Sequence, residues 1–137
     1  MDAPMLHELS HDECLRLLGT VSIGRVGLSV GALPAVFPVN FAILDGDVVF
    51  RAVLGTRFHA AAVAAVLAFE ADGYAPDGTS GWSVLIQGPS RIVDRPSEMD
   101  EARRLAIAPW TTEGAADQLI RIASSRVSGR KFDRPSR

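Results

Sequence analysis

The decapeptide FAILDGDVVF, residues 41–50, sets two apolar, strand-favouring runs on either side of Asp45-Gly46. Both central residues tolerate the positive φ of a type I′ turn, whose twist matches that of paired strands. The stretch therefore predicts an antiparallel hairpin. Upstream, Thr20 to about Val30 is rich in small and β-branched residues and reads as a strand, with a turn at Gly31-Ala32 and the next strand from Ala35 to Leu44. Pro34 and Pro38 interrupt that second strand. Proline offers no ladder donor, so Pro38 is expected at an edge, a bulge or an opening of the sheet that can admit a ligand.

Working outward, Ser10 and Glu13 have the spacing of a capping box, and Cys14, Leu15 and Leu18 recur at helical intervals until Gly19. Downstream, Gly55 closes the third strand. Arg57 to Leu67 is rich in alanine without a breaker, which predicts a second helix starting near Thr56. A fourth strand is expected from Ala68, a polar loop over Asp72 to Gly81, and a fifth strand from Trp82 to Gln87 that bends at Gly88 and resumes at Arg91-Ile92-Val93. Ser97 can cap a third helix reaching about Ala108, with Asp100 and Glu101 in its first turn and Pro109 as its stop. Leu119 to Ile122 supplies the final strand, and residues 132–137 form a flexible polar tail. Antiparallel hairpins with few crossover helices argue for an α+β fold in a single domain, an antiparallel barrel capped by helices, which the resemblance given below makes a split β-barrel.

The 137 residues are 47% hydrophobic, enough for one core, and the formal charge of −2 draws the chain neither to nucleic acid nor to an anionic membrane. Cys14 is the lone cysteine, which excludes internal disulfides and cysteine-based zinc patterns. The N-terminal residues do not have the pattern of a secretion signal. The longest apolar stretch, around Ala60 to Phe69, is too short to span a bilayer, and a cytoplasmic protein is expected.

The candidate chemistry centres on residues 50–57, FRAVLGTR. Alternation along a strand places Arg51 on the face of Val49 and Val53, an apolar setting that is costly for a guanidinium without an anionic partner. Gly55, the Thr56 hydroxyl and Arg57 follow at a helix start, so the segment can cradle a phosphate with two arginines, a hydroxyl and free main-chain donors. The same spacing also allows Arg51 to pair with Glu70 or Asp72 while Arg57 is solvated, and the residues alone leave both open. Pro38-Val39-Asn40-Phe41 can present freed backbone and an amide to the edge of a planar ring, or can be an ordinary strand with a bulge. Trp82, next to Ser83, can wall a pocket or simply pack in a core. His7, His11 and His59 lack a metal-ligand spacing, and no metal site is expected. No nucleophile motif or dinucleotide glycine pattern is present. The basic run Arg121, Arg126, Arg130, Lys131, Arg134 and Arg137 reads as a solvated or partner-facing tail, with Arg130 able to reach a cofactor.

Taken in order, LSHDECLRLL (9–18), GRVGLSV (24–30), PAVFPVNF (34–41), VVFRAVLGTRF (48–58), FEADGY (69–74), GWSVLIQG (81–88) and RVSGRKF (126–132) resemble the pyridoxamine 5'-phosphate oxidase-like FMN-binding split-barrel family. The resemblance implies a homodimer with FMN at its interface, a deazaflavin coenzyme or haem being the alternatives. It implies that Arg51, Thr56 and Arg57 hold the phosphate. Pro38, Val39, Asn40 and Phe41 would lie along the ring, and Trp82 and Ser83 near the ring or contributed by the partner subunit. Arg57 stands where many relatives have lysine. The sequence after Phe132 does not carry the tryptophan- and arginine-containing motif with which the family's namesake enzymes grip their substrate, so oxidation of pyridoxamine phosphate is not expected. The implied activity is that of a flavin- or deazaflavin-dependent oxidoreductase acting on an unidentified small molecule. Two other readings stay open: a flavin, deazaflavin or haem module that binds or senses without turnover, and a dimeric interaction protein with an empty cleft.

Overall fold

The computed structural model describes residues 5–105, 107 and 116–134. In chain order these form β1 (Met5–Glu8), α1 (His11–Leu18), β2 (Ile23–Val30), β3 (Leu33–Leu44), β4 (Asp47–Val53), α2 (Arg57–Ala62), β5 (Val66–Tyr74), β6 (Ser80–Ile92), α3 (Pro96–Arg104), β7 (Asp117–Ile122) and β8 (Arg126–Asp133). The strands follow the order β1-β8-β6-β5-β2-β3-β4-β7, and β6 also pairs with β7. That second partnership closes six antiparallel strands into a ring, with β8 and β1 extending the sheet from the outer edge of β6. The expected antiparallel split barrel with helices around it is what the chain forms. None of the described helices is long and apolar enough to cross a membrane.

Local chemistry accounts for the elements that were foreseen. Ser10 caps α1 by accepting from the Glu13 N–H at 3.2 Å, and Cys14 and Leu18 face the core. Asp45 and Gly46 turn at φ 48° and 83°, and Gly31 and Ala32 at 55° and 67°, the paired positive values of type I′ hairpins. Strand β3 pairs with β2 from Leu33 to Asn40 and with β4 only from Phe41 to Leu44. The sheet therefore opens beside Pro38, as a residue without an N–H requires. The prolines do not interrupt the strand: β3 is continuous and begins at Leu33, before Pro34.

Elsewhere tertiary packing overrides local preference. Helix α2 ends at Ala62, not near Leu67, because Val66 to Tyr74 pair along β6 and send Leu67, Phe69 and Ala71 into the core. The chain reverses through Ala64 at φ 51°. The expected loop over Asp72 to Gly81 shrinks to a turn at residues 75–79, since β5 runs on to Tyr74 and β6 starts at Ser80. Gly88 does not break β6. A Cβ there would lie 1.8 Å from the Ala123 carbonyl oxygen, so glycine lets the 123–125 corner cross the strand. Helix α3 is capped at Arg95 with Pro96 in its first turn, not by Ser97, and ends at Arg104; Ala108 and Pro109 lie outside the described residues. Leu119 to Ile122 is not the last strand. Of the basic run expected to be a tail, Arg121 lies in β7 and Arg126, Arg130 and Lys131 lie in β8, which pairs with β6 from Arg126 to Asp133, so Phe132 and Asp133 are strand and not flexible tail; Arg137 lies outside the described residues.

The barrel interior holds Phe50, Phe69, Leu18, Ile86, Ile120 and Ile122, all fully buried. Each contributes about 1.5–3 kcal/mol by leaving water. A second, smaller cluster of Leu44, Val49, Val93 and Ile107 lies on the opposite face of β4, under α3. Glu98 of α3 is 8% exposed and accepts from Arg91 of β6 and from Arg121 of β7, the latter at 2.8 Å. Arg121 also donates to Asp47 at 2.8 Å. The two guanidinium groups hold the Glu98 carboxyl below its ordinary pKa, and the network ties α3 to the strands that close the barrel.

Candidate functional site

The opening beside Pro38 is the mouth of a cavity of about 740 Å³ between the β2–β3 hairpin and the β4–α2 junction. Its volume lies within the range of small-molecule sites. The walls are mostly apolar, formed by Val30, Leu33, Ala35, Phe37, Val39 and Phe58. The rings of Phe37 and Phe58 stand 4.9 Å apart, and Phe58 leans on Phe50 at 5.8 Å, so core packing fixes this aromatic wall. Three charged residues enter the cavity lining: Arg51, Arg57 and Asp117.

Arg51 and Arg57 thus meet at one cavity, and each is held differently. Arg51, 27% exposed at its side chain, donates from Nε to the Ile107 carbonyl at 2.7 Å and from Nη1 to Asp117 Oδ1 at 3.0 Å. Its carboxylate partner is neither Glu70 nor Asp72. Those two pair with Arg25, at 3.1 and 3.3 Å, on a different part of the surface. Arg57 is the first residue of α2, is exposed, and makes no hydrogen bond or ion pair among the described residues. Between them, Thr56 caps α2: its hydroxyl donates to the Val53 carbonyl at 2.7 Å and accepts from the His59 N–H at 3.0 Å. Thr56 lines the cavity with its one hydroxyl proton already committed to the chain.

The segment 38–41 divides at its middle. Pro38 and Val39 line the cavity. Phe41 is 6% exposed, packs edge-on against Phe69 at 4.7 Å and belongs to the core, while Asn40 is half-buried opposite Ile23; neither is among the lining residues. Trp82 and Ser83 are not brought to this cavity within one protomer. The Trp82 indole lies over Gly73, where a Cβ would come within 2.6 Å of Nε1, in a depression shared with Tyr74 and Phe132. Ser83 faces another depression with Glu8, Glu70 and Arg130. There the Glu70 carboxyl is pushed up to about 7, first by burial and then by the hydrogen bond and charge of Asp72, against the pull of Arg25.

Asp117, Phe37 and Phe58 were missed by the sequence reading. The aromatics sit inside two of the quoted motifs, Phe37 two residues before Val39 on the same face of β3 and Phe58 directly after Arg57, so strand periodicity would have found Phe37. Asp117 meets Arg51 only through the β4–β7 pairing, across 66 residues of sequence.

The family model for pyridoxamine 5'-phosphate oxidase matches residues 10–131, nearly the whole chain. The chain belongs to the pyridoxamine 5'-phosphate oxidase family. A Mycobacterium tuberculosis relative, Rv0080, is 36% identical over 135 residues, 95% of this chain and 88% of that protein. Among solved structures, the FAD binding protein from Mycobacterium smegmatis is 32% identical with a TM-score of 0.81, covering 92% of this chain and 99% of that one. A Corynebacterium glutamicum protein of 28% identity gives a TM-score of 0.82 over all of this chain and 99% of its own. The resemblance read from the seven ordered motifs is therefore borne out, and the fold is shared over the full barrel.

Proposed function

We propose that this pyridoxamine 5'-phosphate oxidase family member binds a flavin nucleotide, FMN or a larger relative, and works as an oxidoreductase on a small molecule. The carrying observation is that Arg51 and Arg57 both line one apolar, aromatic-walled cavity. Such a cavity suits a ligand with a flat ring at one end and a phosphate at the other. The flavin binding of a 32% identical structure supports the reading. In it, Arg57 and the outer edge of Arg51 hold the phosphate, and Pro38, Val39 and the Phe37–Phe58 pair lie along the ring. Asn40 and Phe41 act from behind, holding the strand in place. A bound flavin would supply the hydride or electron chemistry, while the chain positions it and excludes water.

Trp82 and Ser83 serve this site only from a second copy of the chain, so the reading includes a homodimer that carries each GWS segment to the neighbour's cavity. A non-turnover carrier is the second reading. It is favoured by the cavity lining, in which, among the described residues, the ionisable side chains are two arginines and an aspartate tied to one of them. The test is mass spectrometry and absorbance of the natively purified protein, followed by anaerobic mixing with a nicotinamide donor. A copurified flavin that bleaches on mixing supports the oxidoreductase, and a flavin that stays oxidised supports the carrier. A colourless protein with no affinity for added FMN or FAD overturns both, and a Soret band would move the ligand to haem. Sedimentation at micromolar concentration checks the dimer.

A further inference from the structure

The flavin reading leaves open which phosphate the cavity accepts, and Asp117 bears on that. Antiparallel pairing sets Asp117 directly opposite Val53, so it is the diagonal neighbour of Arg51 on the same face of the sheet. Its carboxylate is 17% exposed and accepts from Arg51 Nη1 at 3.0 Å. The Nε donor of the same guanidinium goes to the Ile107 carbonyl at 2.7 Å. Arg51 is therefore oriented and largely neutralised before any ligand arrives. Thr56 gives its hydroxyl proton to Val53. Arg57 is the remaining lining cation, and it has no carboxylate partner among the described residues.

Among the described lining residues, two guanidinium groups and one carboxylate sum to a net charge of plus one. A phosphodiester carries one negative charge and matches it. A terminal monoester carries nearly two at neutral pH. It would bring surplus negative charge toward Asp117, or displace that carboxylate from Arg51 and strand it in a mostly covered position. We propose that Asp117 is a specificity-determining residue that acts through Arg51, setting the cavity to favour a flavin whose first phosphate is a diester over one ending in a monoester dianion. The inference rests on the flavin reading.

The experiment compares riboflavin, FMN and the FMN monomethyl ester, a singly charged diester of almost the same size, as ligands of the wild-type protein, D117N and D117S. Fluorescence titration measures each affinity, and thermal melts establish that both variants fold. The wild type is expected to bind the methyl ester several-fold tighter than FMN. D117N and D117S should tighten FMN on the order of tenfold, the effect of removing one like charge at short range. They should leave riboflavin unchanged, a pattern that a merely structural role for Asp117 would not produce. Wild-type preference for FMN, or an FMN to methyl ester ratio unmoved in both folded variants, overturns the inference and leaves the flavin reading standing. Failure of all three ligands to bind the wild type removes both.

Discussion

Replacing each of the two cavity arginines by alanine should separate binding from stability. Arg57 is exposed and makes no hydrogen bond or ion pair among the described residues, so R57A should change folding stability by no more than about 0.5 kcal/mol. It would remove one charge-assisted hydrogen bond to a phosphate, about 1.5–3 kcal/mol. That corresponds to FMN or FAD binding weakened roughly ten- to hundredfold, with riboflavin unaffected. Arg51 differs. R51A strips both Asp117 and the Ile107 carbonyl of a donor. Breaking a fully buried pair costs about 3–5 kcal/mol. Because Arg51 and Asp117 keep 27% and 17% of their side-chain surface, about 2 kcal/mol is the better figure here. With an unfolding entropy near 0.29 kcal/mol/K for 137 residues, the melting temperature should fall by about 7 °C. Circular-dichroism melts and ligand titrations on both variants give the four numbers. If R57A melts as early as R51A, or binds a phosphorylated flavin within twofold of wild type, the division of labour drawn from the geometry is wrong.

Two further outcomes can be checked with the same melts. G88A places a methyl group 1.8 Å from the Ala123 carbonyl oxygen, a backbone atom that cannot rotate away, and should cost about 3 kcal/mol or more, lowering the melting temperature by about 10 °C; a melt within 2 °C of wild type, roughly 0.6 kcal/mol, would show that the 123–125 corner is not pinned there. The Glu70 carboxyl, raised to about 7 from 4.5, binds more protons folded than unfolded, so wild-type stability should decline as pH rises between those values. Screening at a side chain 35% exposed limits the effect to about 1 kcal/mol. E70Q should flatten this part of the profile, and equal slopes in both proteins would dispose of the idea.

The legible parts of this fold are those whose cause lies within a few residues. The Asp45-Gly46 turn, the Ser10 cap and the opening beside Pro38 each follow from one property of a single residue or pair, and each is present. Strand β8 was hidden because its exposed side chains mask the period: Arg126, Ser128, Arg130 and Lys131 give it the composition of a solvated tail, and its pairing with β6 is what makes it a strand. The end of α2 was misplaced for the same reason. Alanine-rich sequence favours helix locally, yet burial of Leu67 and Phe69 against β6 decides the matter. At the site, the two arginines were visible as cations in an apolar strand and turn. The residue that answers Arg51 was not, since nothing near Asp117 in sequence points to a partner on β4.

Flanked by main-chain hydrogen bonds from the Val93 N–H to the Leu119 carbonyl at 2.9 Å and from the Ala123 N–H to the Pro89 carbonyl at 3.0 Å, three residue pairs among the described residues join β6 to β7: Ser90 with Ile122, Arg91 with Arg121 and Ile92 with Ile120. Two of these sit beside the Glu98 ion pairs, and the third places a hydroxyl that bridges the Ala62 and Ala65 carbonyls. Since β7 pairs with β4 over its whole length, from Asp117 to Ile122, the wall carrying Asp117 is a leaf hung chiefly on β4. Its attachment depends on contacts far from the cavity, and loosening the buckle at Ser90 would shift the carboxylate that faces an incoming anion without altering any residue that touches it.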